Sequence, residues 1–525
     1  MATPGVFITT DVRSGPPAAT APSGAALIVV GECQYGSVTK PTVCTSMADF
    51  DLYLGGRFGS GYVYDTAKTF FEEGGARLIV QRAWASTGYP GTPALASKIT
   101  LACSGTAGAT TVTLEAKYLG SWGDSVVATY STSPNKLVFS GLPGNRTETF
   151  NFTGSTVTAT DMIAAINSTI SGSAWVTASL TGTAPVGTST VTAGTATLTA
   201  ATAIITMTKT LINAYVDPTA SATQYITEDY GTGMICVPGF GISSATSGSD
   251  DGYLLWYTLI KHCVRYNRIA ALAYSDSAVS VTNAVAWRAA FVTYLGTKTD
   301  IPLTTKGLDY AQLVMPWLTT SDGVGGTRTT PPEGFVGAAR ARAHASEGPH
   351  RAGAGAISSA LYVTSPNATF SSADLDTLAL NDINPLRVIA GSTRVYGCHS
   401  LSTDDVNWSF ITYRDTVNYV AYEALNRLEP FAFNTIDNKK LIFSKIRGAL
   451  IGFLETMRAS GSLYELYDSS DNLIDPGYSV DVSEGINSPA NLANGIITAK
   501  IGIRVSPVGE RINLTITKAA LTSSL

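Results

Sequence analysis

The chain has 525 residues, of which 45% are hydrophobic and 14% are charged, and its formal net charge is −5 at pH 7. Typical soluble domains are about 25% charged, so this composition predicts extensive burial or contact with further copies of the chain. The lack of any run of Lys or Arg argues against binding to nucleic acid or to an anionic membrane.

Targeting signals and metal ligands are not recognisable in the sequence. No basic stretch precedes an apolar one near the N-terminus, and apolar runs such as residues 25–31 are far shorter than the ~20 residues of a membrane span. The six cysteines show no CxxC spacing, which favours buried, reduced thiols over a zinc site. We therefore expect a protein made in a cytoplasm, without membrane insertion, metal or cofactor.

The chain opens with a strand that has no local partner. In residues 3–12, Val6 and Ile8 fall on one face of the strand, and Phe7 and Thr9 fall on the other. Residues 13–24 are too rich in Pro, Ala and Gly to pair with this strand. Because backbone N–H and C=O groups need partners, the strand must pair elsewhere. Another copy of the chain is one possibility, and residues 511–517 of the same chain are the other.

An α/β pattern follows. Residues 25–33 and 76–84 read as buried strands, and residues 45–56 and 62–75 between them read as helices that end in glycines. This order predicts a sheet with crossover connections. It resumes further along the chain, with predicted strands at 234–240 and 269–276 and predicted helices at 250–267 and 283–295.

The composition changes between these two α/β stretches. Residues 162–208 contain no charged side chain and alternate Thr and Val with Ala, Ser and Gly. This alternation at every second residue favours β-strands over a disordered segment. We predict an inserted β-rich domain at 97–212, with one helix at 159–170.

The last third reads differently again. Residues 405–433 and 437–463 predict two long helices with apolar side chains at helical spacing. Residues 496–505 and 511–517 alternate strongly and predict two strands.

Motif tests give no catalytic site. LGTKTD at 295–300 lacks the spacing of a phosphate-binding loop, GVGGTR at 323–328 does not lead from a strand into a helix, and no GxSxG occurs. His344 and His350 lie in ARARAHASEGPHRAG, which we interpret as an exposed, mobile loop. DSSDNLID at 468–475 lacks the Gly and Glu of a calcium loop and is interpreted as a turn. The sequence predicts that the protein is not an enzyme.

Several segments, taken in order, resemble the tail sheath proteins of contractile, myovirus-type phages. They are TPGVFITTDV, VVGECQYGSVTKPTVCTSMADFDLYLGG, AKTFFEEGGARLIVQRA, AKYLGSWGDSVVATY, MPWLTTSDG with TTPPEGFVGAARARAHASEGPHRAGAG, and INPLRVIAGSTRVYGCHSLSTDDVNWSFITYRDTVNYV. The resemblance covers residues 1–130 and 225–520. Asp415 stands where a second basic residue is frequent in that family, and Cys398 and His399 also depart from its pattern.

The resemblance implies a mixed α/β and α+β multidomain fold whose terminal strands are donated to neighbouring subunits. The expected domains are an N-terminal strand and linker at 1–24, an α/β middle domain at 25–96 plus 213–375, the inserted outer domain at 97–212, and a C-terminal sheath core at 376–525. The donated strands would contain two sets of residues: Val6, Phe7, Ile8, Thr9 and Thr10 in the first, and Ile512, Asn513, Leu514, Thr515 and Ile516 in the second.

The resemblance also implies a structural function. Stacked hexameric rings would surround a tail tube and contract to drive it through the host envelope, with linkers 13–24 and 506–511 as hinges. The implied partners are further copies, the tube protein, and baseplate and tail terminator proteins, in a virion tail assembled in the host cytoplasm. A tube-facing helix would carry four basic residues, Lys439, Lys440, Lys445 and Arg447, unless it is an ordinary core helix with a solvated basic face.

Three other interpretations remain open at this point. The chain could form the sheath of a bacterial contractile injection system, which the sequence does not separate from a phage tail. The Thr-rich part suggests a β-rich surface adhesin, although the α/β remainder argues against it. A hydrolase on an α/β scaffold lacks any recognisable set of nucleophile, base and orienting group.

Overall fold

The structure is a computed structural model that describes thirteen stretches of the chain: residues 25–58, 61–84, 97–104, 111–118, 121–154, 156–181, 189–198, 208–220, 224–301, 303–323, 325–404, 406–436 and 441–514. The predicted strand at 3–12 and the part of the predicted C-terminal strand from residue 515 onward lie outside the described residues.

The first elements are short strands and helices, as the α/β pattern predicts: β1 (Leu27–Gly31), β2 (Thr42–Cys44), α1 (Met47–Tyr53), α2 (Val63–Glu72) and β3 (Leu78–Arg82). The Ser46 hydroxyl accepts a hydrogen bond from the Asp49 N–H at 3.2 Å and so caps α1. Gly74, with φ +90°, allows the chain to leave α2 in the left-handed region.

The Thr- and Val-rich stretch forms antiparallel strands. The elements are β4 (Lys98–Ser104), β5 (Thr111–Ala116), β6 (Val127–Thr132), β7 (Asn135–Leu142), β8 (Arg146–Asn151), α3 (Ala159–Ile166), β9 (Val176–Thr181), β10 (Thr190–Val191) and β11 (Gly194–Thr197). They make two four-stranded sheets, β10-β4-β5-β9 and β11-β6-β7-β8, around a hydrophobic cluster that includes Val112, Phe139 and Met162. A reciprocal capping box between Thr158 and Asp161 begins α3, the helix that the sequence predicts here.

The middle of the chain returns to alternating helices and strands: α4 (Lys209–Val216), β12 (Met234–Cys236), α5 (Gly252–Tyr266), β13 (Ile269–Leu272), α6 (Val281–Gly296), β14 (Ala311–Met315), β15 (Leu318–Ser321), β16 (Thr327–Thr330) and α7 (Glu333–Ser346). Helix α4 spans the predicted boundary at 212 and contributes Ile212 and Val216 to the core of the central sheet.

The last part contains β17 (Ser365–Pro366), α8 (Ser372–Ala379), β18 (Ile383–Ile389), β19 (Ser392–Val395), α9 (Ile411–Leu428), α10 (Leu441–Ala459), β20 (Leu466–Tyr467), β21 (Leu473–Asp475), β22 (Tyr478–Asp481), α11 (Pro489–Ala493) and β23 (Lys500–Ile503). The two long helices of the prediction are α9 and α10. The turn predicted at 468–475 joins β20 to β21.

One eight-stranded sheet organises the chain, in the order β19-β18-β14-β13-β12-β1-β3-β2. The inner strands are parallel, whereas β2 and β19 run antiparallel at the two edges. Leu27 and Val29 of β1 face a cluster that includes residues of α2 and α7, and Ile28 and Val30 face a cluster with residues of α5 and α6. Helices on both faces explain why these strands are continuous apolar runs.

The prediction of an exposed loop at 339–353 is wrong. Its first half belongs to α7, where Arg340 and His344 are buried. Gly337 allows this close packing, because a Cβ there would lie 2.9 Å from a methyl carbon of Leu27. Arg340 and His344 are four residues apart and therefore share one helix face. The alternation of Arg and Ala looked polar, but half of it points into the protein.

Glu333 supports a prediction about the pH dependence of stability. It is buried at the start of α7, its Oε2 has no hydrogen-bond partner among the described residues, and burial raises its pKa from 4.5 to about 8. Folding therefore becomes less favourable as the pH rises from the unfolded pKa to the folded one. We expect Glu333→Gln to stabilise the fold by about 2–4 kcal/mol near pH 8.5 and by much less near pH 5.

Urea unfolding at both pH values measures this difference. The matched control is Glu347→Gln at the exposed end of α7, where the carboxylate lies 3.6 Å from the exposed Arg351. An equal effect of Glu333→Gln at the two pH values would contradict the prediction.

Candidate assembly surface

The structure describes only some of the predicted site residues. Those outside the described residues are Val6, Phe7, Ile8, Thr9, Thr10, Lys439, Lys440, Thr515 and Ile516. Ile512 and Leu514 are 91% and 80% exposed, and Asn513 between them is also exposed. These three residues belong to no strand of the described chain. Lys445 and Arg447 lie on the exposed side of α10.

Strands β22 and β23 form a two-stranded antiparallel sheet near the end of the described chain. Ser479 pairs with Gly502, and Asp481 pairs with Lys500. Val480, Ile501 and Ile503 point toward α9 and α10, where they pack in two small hydrophobic clusters. The opposite face carries the exposed positions. The sheet is therefore half-buried on these helices, which explains its strict alternation.

Within the described part of the chain, both outer edges of this sheet are open. The Arg504 N–H donates to the Gly477 carbonyl at 2.7 Å, so Arg504 faces β22. Since successive residues of a strand direct their N–H and C=O to opposite edges, Gly502 also faces β22, whereas Ile501 and Ile503 face away. No strand among the described residues pairs with that outer edge or with the outer edge of β22. A sheet of two strands with two free edges is a template for strand addition.

An apolar groove of about 810 Å³ lies close to the start of β23. It lies between the segment that leads into β23, with Ile497 and Ala499, and the ends of two helices, with Leu428, Phe431 and Ile446. Groove and edge together would accept an extended segment that has apolar side chains on one face.

Exposed apolar side chains concentrate in the same region. Among the described residues, eleven of the twenty large hydrophobic residues that are exposed lie between Leu425 and Leu514. They include Tyr467, Leu473 and Ile474 in the β20–β21 hairpin. The β20–β21 hairpin therefore presents several exposed apolar side chains to the surroundings.

Helix α10 presents a basic face as well as a buried stripe. Ile446, Leu450 and Leu454 are buried, whereas Lys445 and Arg447 are exposed. From residue 441 to 454 the helix contains no acidic side chain. Helix α10 therefore packs in the core along one stripe and exposes two basic side chains, and the predicted contact with a tube stays a prediction.

Two ion pairs join the start of α9 to the rest of the protein. Arg340 of α7 donates to Asp415 at 2.6 and 2.5 Å, and His344 Nε2 lies 3.1 Å from the same carboxylate. The neighbouring Arg414 donates to Asp309 through Nε at 2.6 Å, and its guanidinium stacks on the Trp408 ring at 3.8 Å. Helix α9 supplies the anion, Asp415, in one pair and the cation, Arg414, in the other. The two pairs together hold the start of α9 against the rest of the protein.

Burial alone would raise the pKa of Asp415, but Arg340 and His344 outweigh it and lower the value to about 2. Burial and the Arg340 charge lower the pKa of His344. At neutral pH the junction therefore holds a carboxylate, a guanidinium and a neutral imidazole. The sequence interpretation missed this site. Two signals in the sequence could have pointed to it. One is the four-residue spacing of Arg340 and His344, and the other is Asp415, which departs from the pattern of the family that the sequence resembles.

In the described ranges, no group of three or more His, Cys, Asp or Glu side chains is placed to hold a metal ion. No helix among these residues is long and apolar enough to cross a membrane.

No protein-family model matches the sequence, and no curated protein is similar to it. Solved structures do match. The contracted helical sheath of the anti-feeding prophage is 11% identical, with 99% of this chain and 100% of that chain covered and a TM-score of 0.53. The contracted sheath complex of PVC, an extracellular contractile injection system, is 14% identical over 99% and 98%, with a TM-score of 0.52.

A sheath tail protein from Listeria innocua is 12% identical over 88% of this chain and 89% of its own, with a TM-score of 0.54. The chain therefore has the fold of contractile tail sheath proteins over nearly its whole length. The resemblance seen in the sequence is confirmed at the level of the fold.

Proposed function

We propose that this chain is a sheath subunit that polymerises as stacked hexameric rings around a tail tube and contracts to drive the tube through a host envelope. The observation that carries the proposal is the sheath fold combined with a C-terminal sheet whose two edges are open. A sheet of two strands gains stability when strands from other copies add to it. The proposed partners are further copies, the tube protein, and baseplate and terminator proteins.

In this proposal the N-terminal strand of one copy and the C-terminal strand of another fill the two open edges. The C-terminal strand alternates apolar Ile512, Leu514 and Ile516 with polar residues. That pattern would continue the face on which Ile501 and Ile503 pack against the helices. The N-terminal strand, Val6–Thr10, would reach its partner through linker 13–24, which spans up to ~40 Å at about 3.3 Å per residue.

The domain arrangement is part of the proposal. Residues 1–24 would form the donated strand and linker, residues 25–96 with 213–375 the middle domain, and residues 376–525 the sheath core. The two antiparallel sheets within residues 97–212 would lie outermost, because they carry a separate hydrophobic cluster and connect to the central sheet at β3 and α4.

The proposed tube contact is the basic face of α10. Exposed Lys445 and Arg447 support it, and Lys439 and Lys440 precede them in the sequence. An acidic tube surface would suit this face.

Contraction would use the free-energy difference between two packings of the same subunits rather than chemistry at an active site. The ion-paired junction at Asp415 suits this mechanism, because it lets each subunit move as a rigid body. The setting would be a virion tail assembled in the host cytoplasm. A second candidate is the sheath of a bacterial contractile injection system, because one similar structure comes from an extracellular contractile injection system.

Electron microscopy of the purified full chain tests the function. We expect long hollow tubes from the full chain and only small particles from a variant lacking residues 1–14, with similar thermal unfolding of the two proteins as single subunits. A monodisperse monomer from both would overturn the proposal and reopen the adhesin and enzyme interpretations.

A further inference from the structure

The segment that leads to the C-terminal strand is held on the body of the subunit at three points. The Ser506 N–H donates to the Ser462 carbonyl at 3.0 Å. Val508 packs against the hydrophobic cluster on one face of the central sheet. Glu510 Oε2 lies 2.7 Å from His399 Nε2. Residues 506–510 therefore follow the surface of their own subunit, whereas Ile512 and Leu514 beyond them are exposed.

His399 connects this segment to the main sheet through alternating charges. Its Nδ1 lies 3.4 Å from Asp382 Oδ1, and Asp382 in turn lies 2.5 Å from the Arg288 guanidinium on α6. Asp382 precedes β18 and His399 follows β19, so both belong to one edge of the central sheet. The four side chains form a row of alternating charge, in the order Arg288, Asp382, His399 and Glu510.

We propose that His399 is a positioning residue: it fixes the point at which the C-terminal arm, the chain from residue 506 onward, leaves the subunit. The movable part of this arm then begins at Arg511 and not at Ser506. This inference rests on the proposed function, since the arm matters only if it reaches another copy. It narrows the predicted hinge at 506–511 to its last residue. A donated strand would then leave each subunit from a point set by the central sheet rather than by the C-terminal helices.

The contact also makes the arm sensitive to pH. The contacts with Asp382 and Glu510 raise the pKa of His399 to about 9. Its stabilising effect is therefore complete below the ordinary value of 6.5 and is lost as the pH rises through about 9. Above that range Asp382 and Glu510 face each other across a neutral imidazole. Other titratable groups beside the segment are Glu347, His350 and Arg351, which line a groove of about 430 Å³, and the Cys398 thiol, whose pKa is raised by burial and by Glu510.

Hydrogen exchange of the full chain, measured on the fraction that sedimentation shows to be single subunits and followed by peptide analysis, tests the inference. We compare wild type with His399→Asn, His399→Lys and Glu510→Gln. We expect exchange of the Ser506 amide, which is hydrogen-bonded to Ser462, to rise at least about tenfold in His399→Asn and Glu510→Gln, toward the rate of residues 511–514. His399→Lys keeps a cation and should retain protection near pH 7.5. After correction for intrinsic rates, it should also keep that protection near pH 10, where wild type loses it.

Unchanged protection of the Ser506 amide in both His399→Asn and Glu510→Gln would overturn the inference. So would equal pH dependence of wild type and His399→Lys. Exchange of the β1 amides separates a local release of the segment from global destabilisation, because only global destabilisation raises it. Thermal unfolding of each variant checks the same point. None of these readouts needs polymerisation, so a failure here is distinct from a failure of the sheath proposal.

Discussion

Replacing Ile501 by proline is expected to abolish polymerisation while leaving the subunit folded. The backbone of Ile501 faces the outer edge of β23, where no strand of the described chain pairs with it. Proline lacks the N–H that an incoming strand would bond, and its ring projects toward that strand. Edge strands tolerate proline when the missing donor faces outward. The single subunit should therefore lose little more stability than it does in Ile501→Ala, which reports the side-chain packing alone.

The neighbouring residue provides the matched control. Gly502 faces β22, so Gly502→Pro removes an internal hydrogen bond and should cost the subunit about 1–3 kcal/mol. Electron microscopy and sedimentation measure assembly, and urea unfolding measures the stability of the subunit. Tubes from Ile501→Pro in wild-type yield would mean that no strand adds to the β23 edge, and the β22 edge would be tested next at Val480.

Replacing Asp415 by alanine is expected to cost about 3–5 kcal/mol, because it removes the carboxylate from a buried guanidinium. Asp415 is 5% exposed, and its two oxygens accept from Arg340 and contact His344. The pKa of Asp415 is lowered to about 2, so the stabilisation is present above the ordinary value of 3.8 and is lost as the pH falls through about 2. Urea unfolding at neutral pH measures the effect.

Two variants check the cause of that loss. Asp376→Ala removes an exposed carboxylate of α8 and should change the free energy of unfolding by less than about 0.5 kcal/mol. Replacing Arg340 and Asp415 together by apolar residues of similar size should restore much of the loss, since no unpaired charge then remains buried. A cost below about 1 kcal/mol for Asp415→Ala would mean that water reaches Arg340 and that α9 is held mainly by packing.

The strands and helices of the central sheet were predictable because their signals are local. The apolar run at 27–31, the cap at Ser46 and the glycines after α2 each act within a few residues. The same holds for the Thr–Val alternation that becomes antiparallel strands. The resemblance to sheath proteins rested on several such segments in order, and the fold of the chain agrees with it.

The sites that hold the subunit together depended on distant residues and could not be predicted in this way. Arg340 reads as polar until Asp415, 75 positions away, lies beside it. The same is true of His399, whose contact with Glu510 joins residues 111 positions apart. A buried charge is stable only with its partner, and local sequence does not specify which partner will be near.

The sequence by itself therefore determined most strands and helices of the central sheet and the division into α/β and β-rich stretches; the two terminal strands stay a prediction. The tertiary structure decided which polar side chains are buried and which edges of the C-terminal sheet are free. The physical reason is range: backbone preference and side-chain alternation act between neighbours, whereas ion pairing and strand addition depend on which distant surfaces the packed core brings together.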